Sequence, residues 1–391
     1  MIRVFTAHTG EIDNVEKALA DILRQIEPRR LLAYSLGILY YHPDFSGTGI
    51  MERLYQALGF SVVGGTTSIT TVPGSTDFIC LTITVITSDD CMFTALASEP
   101  LREDPFQPLE KMCRTILAEK PGGMAKPGLF YIITPYLQKI TGDDYVAALD
   151  VVSGGVPIFG LTAFTDDVEC KNVRTCFNGV EYEDAFILAA FWGNINPRFF
   201  LSTIPEERML SYRAVITDSY KNRVRRINGI PALEYLETSG LSKDGKLLGI
   251  ASFPIVLYPG NGSRLIRTIY KADAGELLCS GAMPVHASLG ISFCDRDFVM
   301  ASAKKTAQEC VGSLGAGPEA PGSIALVSSC AARSWTLGTD FFSEIRELTA
   351  EFKDTLPYHF VYSIGEFCPI RDKNKELSNC FLNYSLCICV L

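Results

Sequence analysis

The order in which strand-like and helix-like segments alternate constrains this chain more than any other feature. Val4 to Ala7 reads as a short strand. Ala18, Leu19, Ile22, Leu23 and Ile26 then recur at helical spacing, behind a capping box formed by Asp13 and Glu16. A strand from Leu31 to Tyr41 and a helix carrying Met51, Leu54, Tyr55 and Leu58 follow. From Ile79 onward one unit is described twice, in the order β-β-α-β-α-β-β. The first copy has strands at Ile79 to Ile86 and Met92 to Ala97, helices near Pro108 to Ala118 and Asp144 to Val152, and strands at Leu129 to Ile133 and after Pro157. It closes with a hairpin, turning at Asn178-Gly179, that leads into Ala185 to Trp192. The second copy runs from Phe253 through the helices Phe298 to Val311 and Phe341 to Phe352 to a last strand, Leu382 to Val390.

Strands alternating with helices, many of them adjacent as hairpins, predict an α/β (α+β) protein with mixed sheets. The expectation is two similar mixed-sheet modules, residues 1–200 and 201–391, which can stack as a layered α-β-β-α body. A connector rich in turn signals, including Asn228-Gly229 and Pro231, lies just past the boundary.

The rest of the composition narrows the function classes. With 47% hydrophobic and 20% charged residues, the 391-residue chain has ample apolar material for a core. A net charge of -9 disfavours nucleic acid, which needs a concentrated basic face. No apolar run reaches the ~20 residues that span a bilayer, and the N-terminus lacks the pattern of a secretory signal. These features predict a cytoplasmic protein without membrane insertion. Thirteen cysteines occur without a C-x-x-C pair or a zinc-like Cys/His cluster, so they read as reduced, mostly structural thiols. Val63-Gly64-Gly65-Thr66 is glycine-rich but lacks the lysine of a P-loop.

Six pieces of the C-terminal half stand in a telling order. They are Ile227-Asn-Gly-Ile-Pro-Ala-Leu-Glu-Tyr-Leu, Arg264-Leu-Ile-Arg267, Gly275-Glu-Leu-Leu-Cys-Ser-Gly-Ala-Met-Pro-Val, Ala325-Leu-Val-Ser-Ser-Cys-Ala-Ala-Arg, Tyr362-Ser-Ile-Gly-Glu-Phe-Cys-Pro and Asn383-Tyr-Ser-Leu. In the N-terminal half, Val63-Gly-Gly-Thr-Thr-Ser and Pro157 to Asp167 supply two glycine-bearing strands. Together these resemble the FIST proteins, which carry a FIST_N region followed by a FIST_C region. One departure is Leu382, where the family often has His before the Asn of its last motif.

The resemblance implies a small-molecule sensor, with an amino acid or other small carboxylate as ligand, and a stand-alone form whose output passes through a signalling partner. The residues expected around the ligand are Cys330, Arg333, Gly365, Glu366, Asn383 and Arg267. Arg333 offers a planar fork suited to a carboxylate. Glu366, beside a glycine that permits close backbone approach, can receive an ammonium group or pair with Arg333. Asn383 donates and accepts at once. Two alternatives remain open. Cys330 with His359 as its base would make a cysteine hydrolase. A haem sensor would need an axial ligand, for which His286 is the candidate. A binding module without a cofactor is the preferred reading.

Overall fold

The computed structural model describes residues 2–75, 77–121, 126–167, 170–259, 264–314, 322–353, 356–371 and 376–391. Its secondary structure is mixed α/β, as the alternation predicts.

Three of its sheets follow one path. In each, an edge strand lies antiparallel to the unit's last strand, which lies antiparallel to a central strand, which runs parallel to the next. In the first sheet these are Ile2–Thr9, Leu81–Ser88, Tyr34–Tyr41 and Val62–Thr66. In the second they are Met92–Ala97, Ile187–Trp192, Leu129–Thr134 and Ile158–Thr162. In the third they are Arg198–Leu201, Leu386–Val390, Ala325–Cys330 and Tyr358–Ser363. The long helices fall at the same two places in each unit. They are Val15–Ile26 and Ile50–Leu58, Phe106–Ala118 and Gly142–Val152, and Arg296–Leu314 and Phe342–Phe352.

Each sheet takes its fifth strand from another unit. Thr175–Phe177 of the second unit pairs with Val62–Thr66 of the first. Glu366–Arg371 of the third pairs with Ile158–Thr162 of the second. Thr70–Thr71 of the first pairs with Tyr358–Ser363 of the third. All three donated segments lie between the third and fourth strands of their own unit, so the exchange runs in a ring.

Alternation along the strands explains why three sheets close on one core. Leu36, Ile38 and Tyr40 of the first sheet, Leu129, Tyr131 and Ile133 of the second, and Leu326, Val361 and Cys387 of the third share one apolar cluster. The intervening residues, such as Leu39, Phe130 and Phe360, pack outward against their own unit's helices. The helices and the later strands of the two expected copies are therefore present, but Leu81–Ser88, expected to open the first, closes a third unit that precedes them, and the sheets close as three around a shared centre rather than as two stacked layers. Periodicity reports that both faces of a strand are buried. It does not report how many sheets face one another.

The strands expected to open the second copy, from Phe253 to Phe293, belong elsewhere. With Met209–Tyr220 and Arg223–Ile227 they build a separate eight-stranded sheet, inserted between the edge strand Arg198–Leu201 and the helix Arg296–Leu314. It has its own core around Ile216, Leu257, Leu277 and Leu289. One of its edge strands, Leu265–Arg267, comes close to the hairpin formed by Glu366–Arg371 and Leu377–Leu382. Strands thus cross residue 200 in both directions. Among the described residues no helix is long and apolar enough to cross a membrane.

A candidate ligand cavity and the polar cluster behind it

The strand Ala325–Cys330 runs straight into the helix Ala331–Leu337, and both are almost wholly buried. This junction gathers four of the expected residues. Glu366 is fully buried and accepts a hydrogen bond at Oε1 from Ser363 Oγ at 2.7 Å, while Oε2 has no partner. Ser363 Oγ also lies 3.0 Å from Ser328 Oγ on the neighbouring strand. Asn383 donates from Nδ2 to the Ile364 carbonyl at 3.2 Å and leaves Oδ1 unpartnered. Gly365 is required where it stands, because a Cβ there would lie 2.1 Å from the Phe381 ring and 3.0 Å from Asn383 Nδ2. The Cys330 thiol, close enough to Glu366 to feel its charge, completes the group.

Burial dominates the electrostatics here. It pushes the Glu366 carboxyl well above its ordinary range, with Ser363 and Arg333 opposing only in part. It pushes the Cys330 thiol up as well, and the neighbouring Glu366 adds to the rise. A thiolate nucleophile needs the opposite surroundings.

Both expected arginines are buried and engaged within the protein. Arg333 pairs with Glu344 rather than Glu366, with Nε 2.7 Å and one terminal nitrogen 2.6 Å from the same carboxylate oxygen. Its remaining N–H groups reach the Val299 carbonyl, Ser302 Oγ and Ser202 Oγ. Tyr362 and Ser329 donate to the other oxygen of Glu344 at 2.9 and 3.0 Å. Arg267 pairs with Asp143 at 2.6 Å and donates to the carbonyls of Phe381 and Ala282, binding the inserted sheet to the second unit.

The structure does not bring His359 to Cys330. Cys330 lies beside Ser363 and His359 beside Leu326, four residues back along parallel strands. That separation is roughly 13 Å. His359 instead sits among Thr82 (2.8 Å), Thr84 (2.9 Å) and Thr70 (3.3 Å), and burial pushes its pKa down to about 3. His286 is exposed on a turn with φ 68°, away from the cluster.

Next to this cluster opens a cavity of about 690 Å³. Its walls come from the continuous run Asn196 to Ile204, from Arg264 and Ile266, from Pro369 to Arg371, and from Leu377, Leu382, Ser313 and Ser385. Among the described wall residues stand three arginines, Arg198, Arg264 and Arg371, and no aspartate or glutamate. Arg264 is held at one end by the Ile204 carbonyl (2.7 Å) and Glu206 (3.3 Å), and Arg198 by the Ser313 carbonyl (2.8 Å). Two wall residues connect the cavity to the buried network. The Ser385 carbonyl accepts from the Cys330 N–H at 3.0 Å, and Ser385 Oγ donates to the Asn383 carbonyl at 3.1 Å. Ser202 Oγ accepts from the Leu386 N–H at 2.8 Å and from Arg333 at 3.4 Å. Cys330, Arg333, Glu366 and Asn383 therefore lie one residue behind the wall, not in it.

The profile of the FIST N domain matches residues 35–230, and that of the FIST C domain matches residues 232–369. The chain belongs to the FIST family. No curated protein matches it. FIST domains are associated with sensing and ligand binding, and in this FIST protein the two matched regions reach into all three exchanging units, leaving out Ile2–Thr9 and Val15–Ile26 of the first and Leu386–Val390 of the third. The FIST C match takes in Arg264, Arg267, Cys330, Arg333, Gly365 and Glu366. The cavity residues of 196 to 204 were missed from sequence because they straddle the expected module boundary at residue 200. Arg264 opens the segment Arg264-Leu-Ile-Arg267, but nothing in the spacing says that it, rather than Arg267, faces open space.

Proposed function

We propose that this FIST protein is a sensory ligand-binding module whose ligand is a small organic anion, an amino acid or another carboxylate, held in the 690 Å³ cavity. The observation that carries the reading is the composition of the wall, which among the described residues has three arginines, no acidic side chain, apolar groups from Phe199, Ile266, Ile370 and Leu382, and small polar ones such as Ser202, Thr203 and Ser385. Sites for small molecules are concave, mostly apolar and supplied with a few converging polar groups. A guanidinium presents five N–H donors in a fork that matches a carboxylate. The role expected of Arg333 passes in this reading to Arg264, while Arg333 and Glu366 hold the wall in shape. The signal leaves through a protein partner that senses the closed cavity.

A thermal-shift panel of free amino acids and small mono- and dicarboxylates tests this. A ligand at about 100 times its dissociation constant adds roughly 2.7 kcal/mol to stability. The expected result is a raised melting temperature with at least one carboxylate, lost in Arg264→Gln. A shift unchanged by Arg264→Gln, or none with any member, would overturn the reading.

A further inference from the structure

The cavity wall has a feature that a pocket for a compact molecule does not need. Asn196 to Ile204 line it without a gap, although side chains of successive strand residues point to opposite faces. An uninterrupted run of this kind arises when open space runs along the edge of a strand rather than over one face. Among the described residues Arg198–Leu201 is the edge strand of its sheet, paired only with Leu386–Val390. The parity of that pairing follows from the Ser202 N–H, which donates to the Leu386 carbonyl at 2.9 Å. Ser202, Phe200 and Arg198 therefore spend their main-chain groups on Leu386–Val390. The N–H and C=O groups of Phe199 and Leu201 point the other way, off the sheet. Two more edge strands border the same space, Leu265–Arg267 through Ile266 and Leu377–Leu382 through its terminal residues.

From this geometry we infer that the occupant of the cavity is an extended peptide with a free carboxylate, which adds as a strand to Arg198–Leu201 and sets its carboxylate among Arg198, Arg264 and Arg371. The inference rests on the reading of the cavity as an anion site and narrows the anion to a class. An unpaired strand edge is a template for β-addition, in which main-chain bonds give affinity and flanking pockets give selectivity. Four strand residues span about 13 Å, so the groove engages about four residues of extended chain. The charge on the wall favours a negative end, because among the described lining residues every charged side chain is an arginine, one of them, Arg264, shared with Glu206 outside the wall. Pro197, at the start of the run, sets where the added strand must stop, since it has no N–H to offer.

Titration calorimetry on the full chain separates the possibilities with four probes. They are an acetylated four-residue valine/threonine peptide with a free C-terminal carboxylate, its C-terminal amide, and two forms of the free acid N-methylated on alternate amides, one form for each parity. The free acid is expected to bind wild type, and the amide to bind at least ten-fold more weakly. One methylated form should lose at least ten-fold and the other should bind like the parent, because only one parity faces Phe199 and Leu201. Equal affinity of both methylated forms with the parent would overturn strand addition, as would equal affinity of acid and amide for the placement of the carboxylate. If free amino acids bind in a manner sensitive to Arg264→Gln while no peptide does, the strand inference fails and the anion site stands. If neither peptides nor small carboxylates bind, both fall.

Discussion

His359 shows how a titratable side chain can be fixed by its surroundings without serving chemistry. Three threonine hydroxyls, from Thr70, Thr82 and Thr84, satisfy both ring nitrogens at the centre of the molecule, and burial holds the pKa near 3 against an ordinary 6.5. The unfolded chain takes up a proton below pH 6.5, whereas the folded chain does not until about pH 3. The contribution of this residue is thus intact above 6.5 and falls as pH drops through that window, by about 1.4 kcal/mol per unit. Urea unfolding at pH 6.5 and 5.0 should show wild type losing about 2 kcal/mol more than His359→Gln between the two pH values. Equal losses would show that the imidazole is protonated in the fold. Arg333 teaches a related lesson. Its residue type suited a ligand carboxylate, but Glu344, eleven residues on, occupies the fork. Removing one partner of such a buried pair costs ~3–5 kcal/mol, so a lost response in Arg333→Ala reports folding before binding.

At the scale of elements, two of the parallel pairs of strands make very close backbone approaches. Gly64 stands opposite Leu39 and Gly160 opposite Ile132, each two residues before the end of its strand. A Cβ at either would lie 1.9 Å from the carbonyl oxygen opposite. Gly37, on the adjoining strand, would meet only the methyl groups of Val62 and Ile83, at 3.1 Å and beyond. Chemical denaturation should therefore rank Gly64→Ala far above Gly37→Ala in cost, with Gly64→Ala losing more than about 2 kcal/mol. A smaller loss for Gly64→Ala than for Gly37→Ala would refute the close approach. The elements themselves were largely legible in the sequence. Helical spacing placed Ala18, Leu19, Ile22 and Ile26 on a buried face, and Asn178-Gly179 makes its turn with both residues at positive φ. The cap fell one residue on, at Asn14, whose side chain accepts from the Lys17 N–H. What remained hidden was partnership. Nothing local tells Leu81–Ser88 to close the first sheet and Met92–Ala97 to open the second, since both are short β-rich runs three residues apart.

The whole molecule is three similar units that lend one another a strand in a ring, with a fourth sheet inserted into the third unit. The exchange explains why the candidate site was only partly readable. The motifs around Cys330, Glu366 and Asn383 do converge, but they build the backing of a wall whose face comes from Arg198–Leu201, Arg264 and the hairpin after Glu366. Those pieces are far apart in the chain and meet only because Glu366–Arg371 leaves its own unit to pair with Ile158–Thr162. A ligand between them would touch the third unit, the inserted sheet and the donated hairpin at once, which is where a binding event can change their mutual fit. The most direct test of this account is a calorimetric titration with the strongest-binding carboxylate of the panel, comparing wild type with Thr203→Trp. Thr203 lines the cavity with its side chain exposed, so the indole adds bulk at the wall without entering the core. The account predicts saturable binding to wild type and a loss of at least ten-fold in Thr203→Trp, with the melting temperature of the free protein unchanged. Unaltered affinity in the blocked protein would place the ligand elsewhere and contradict it.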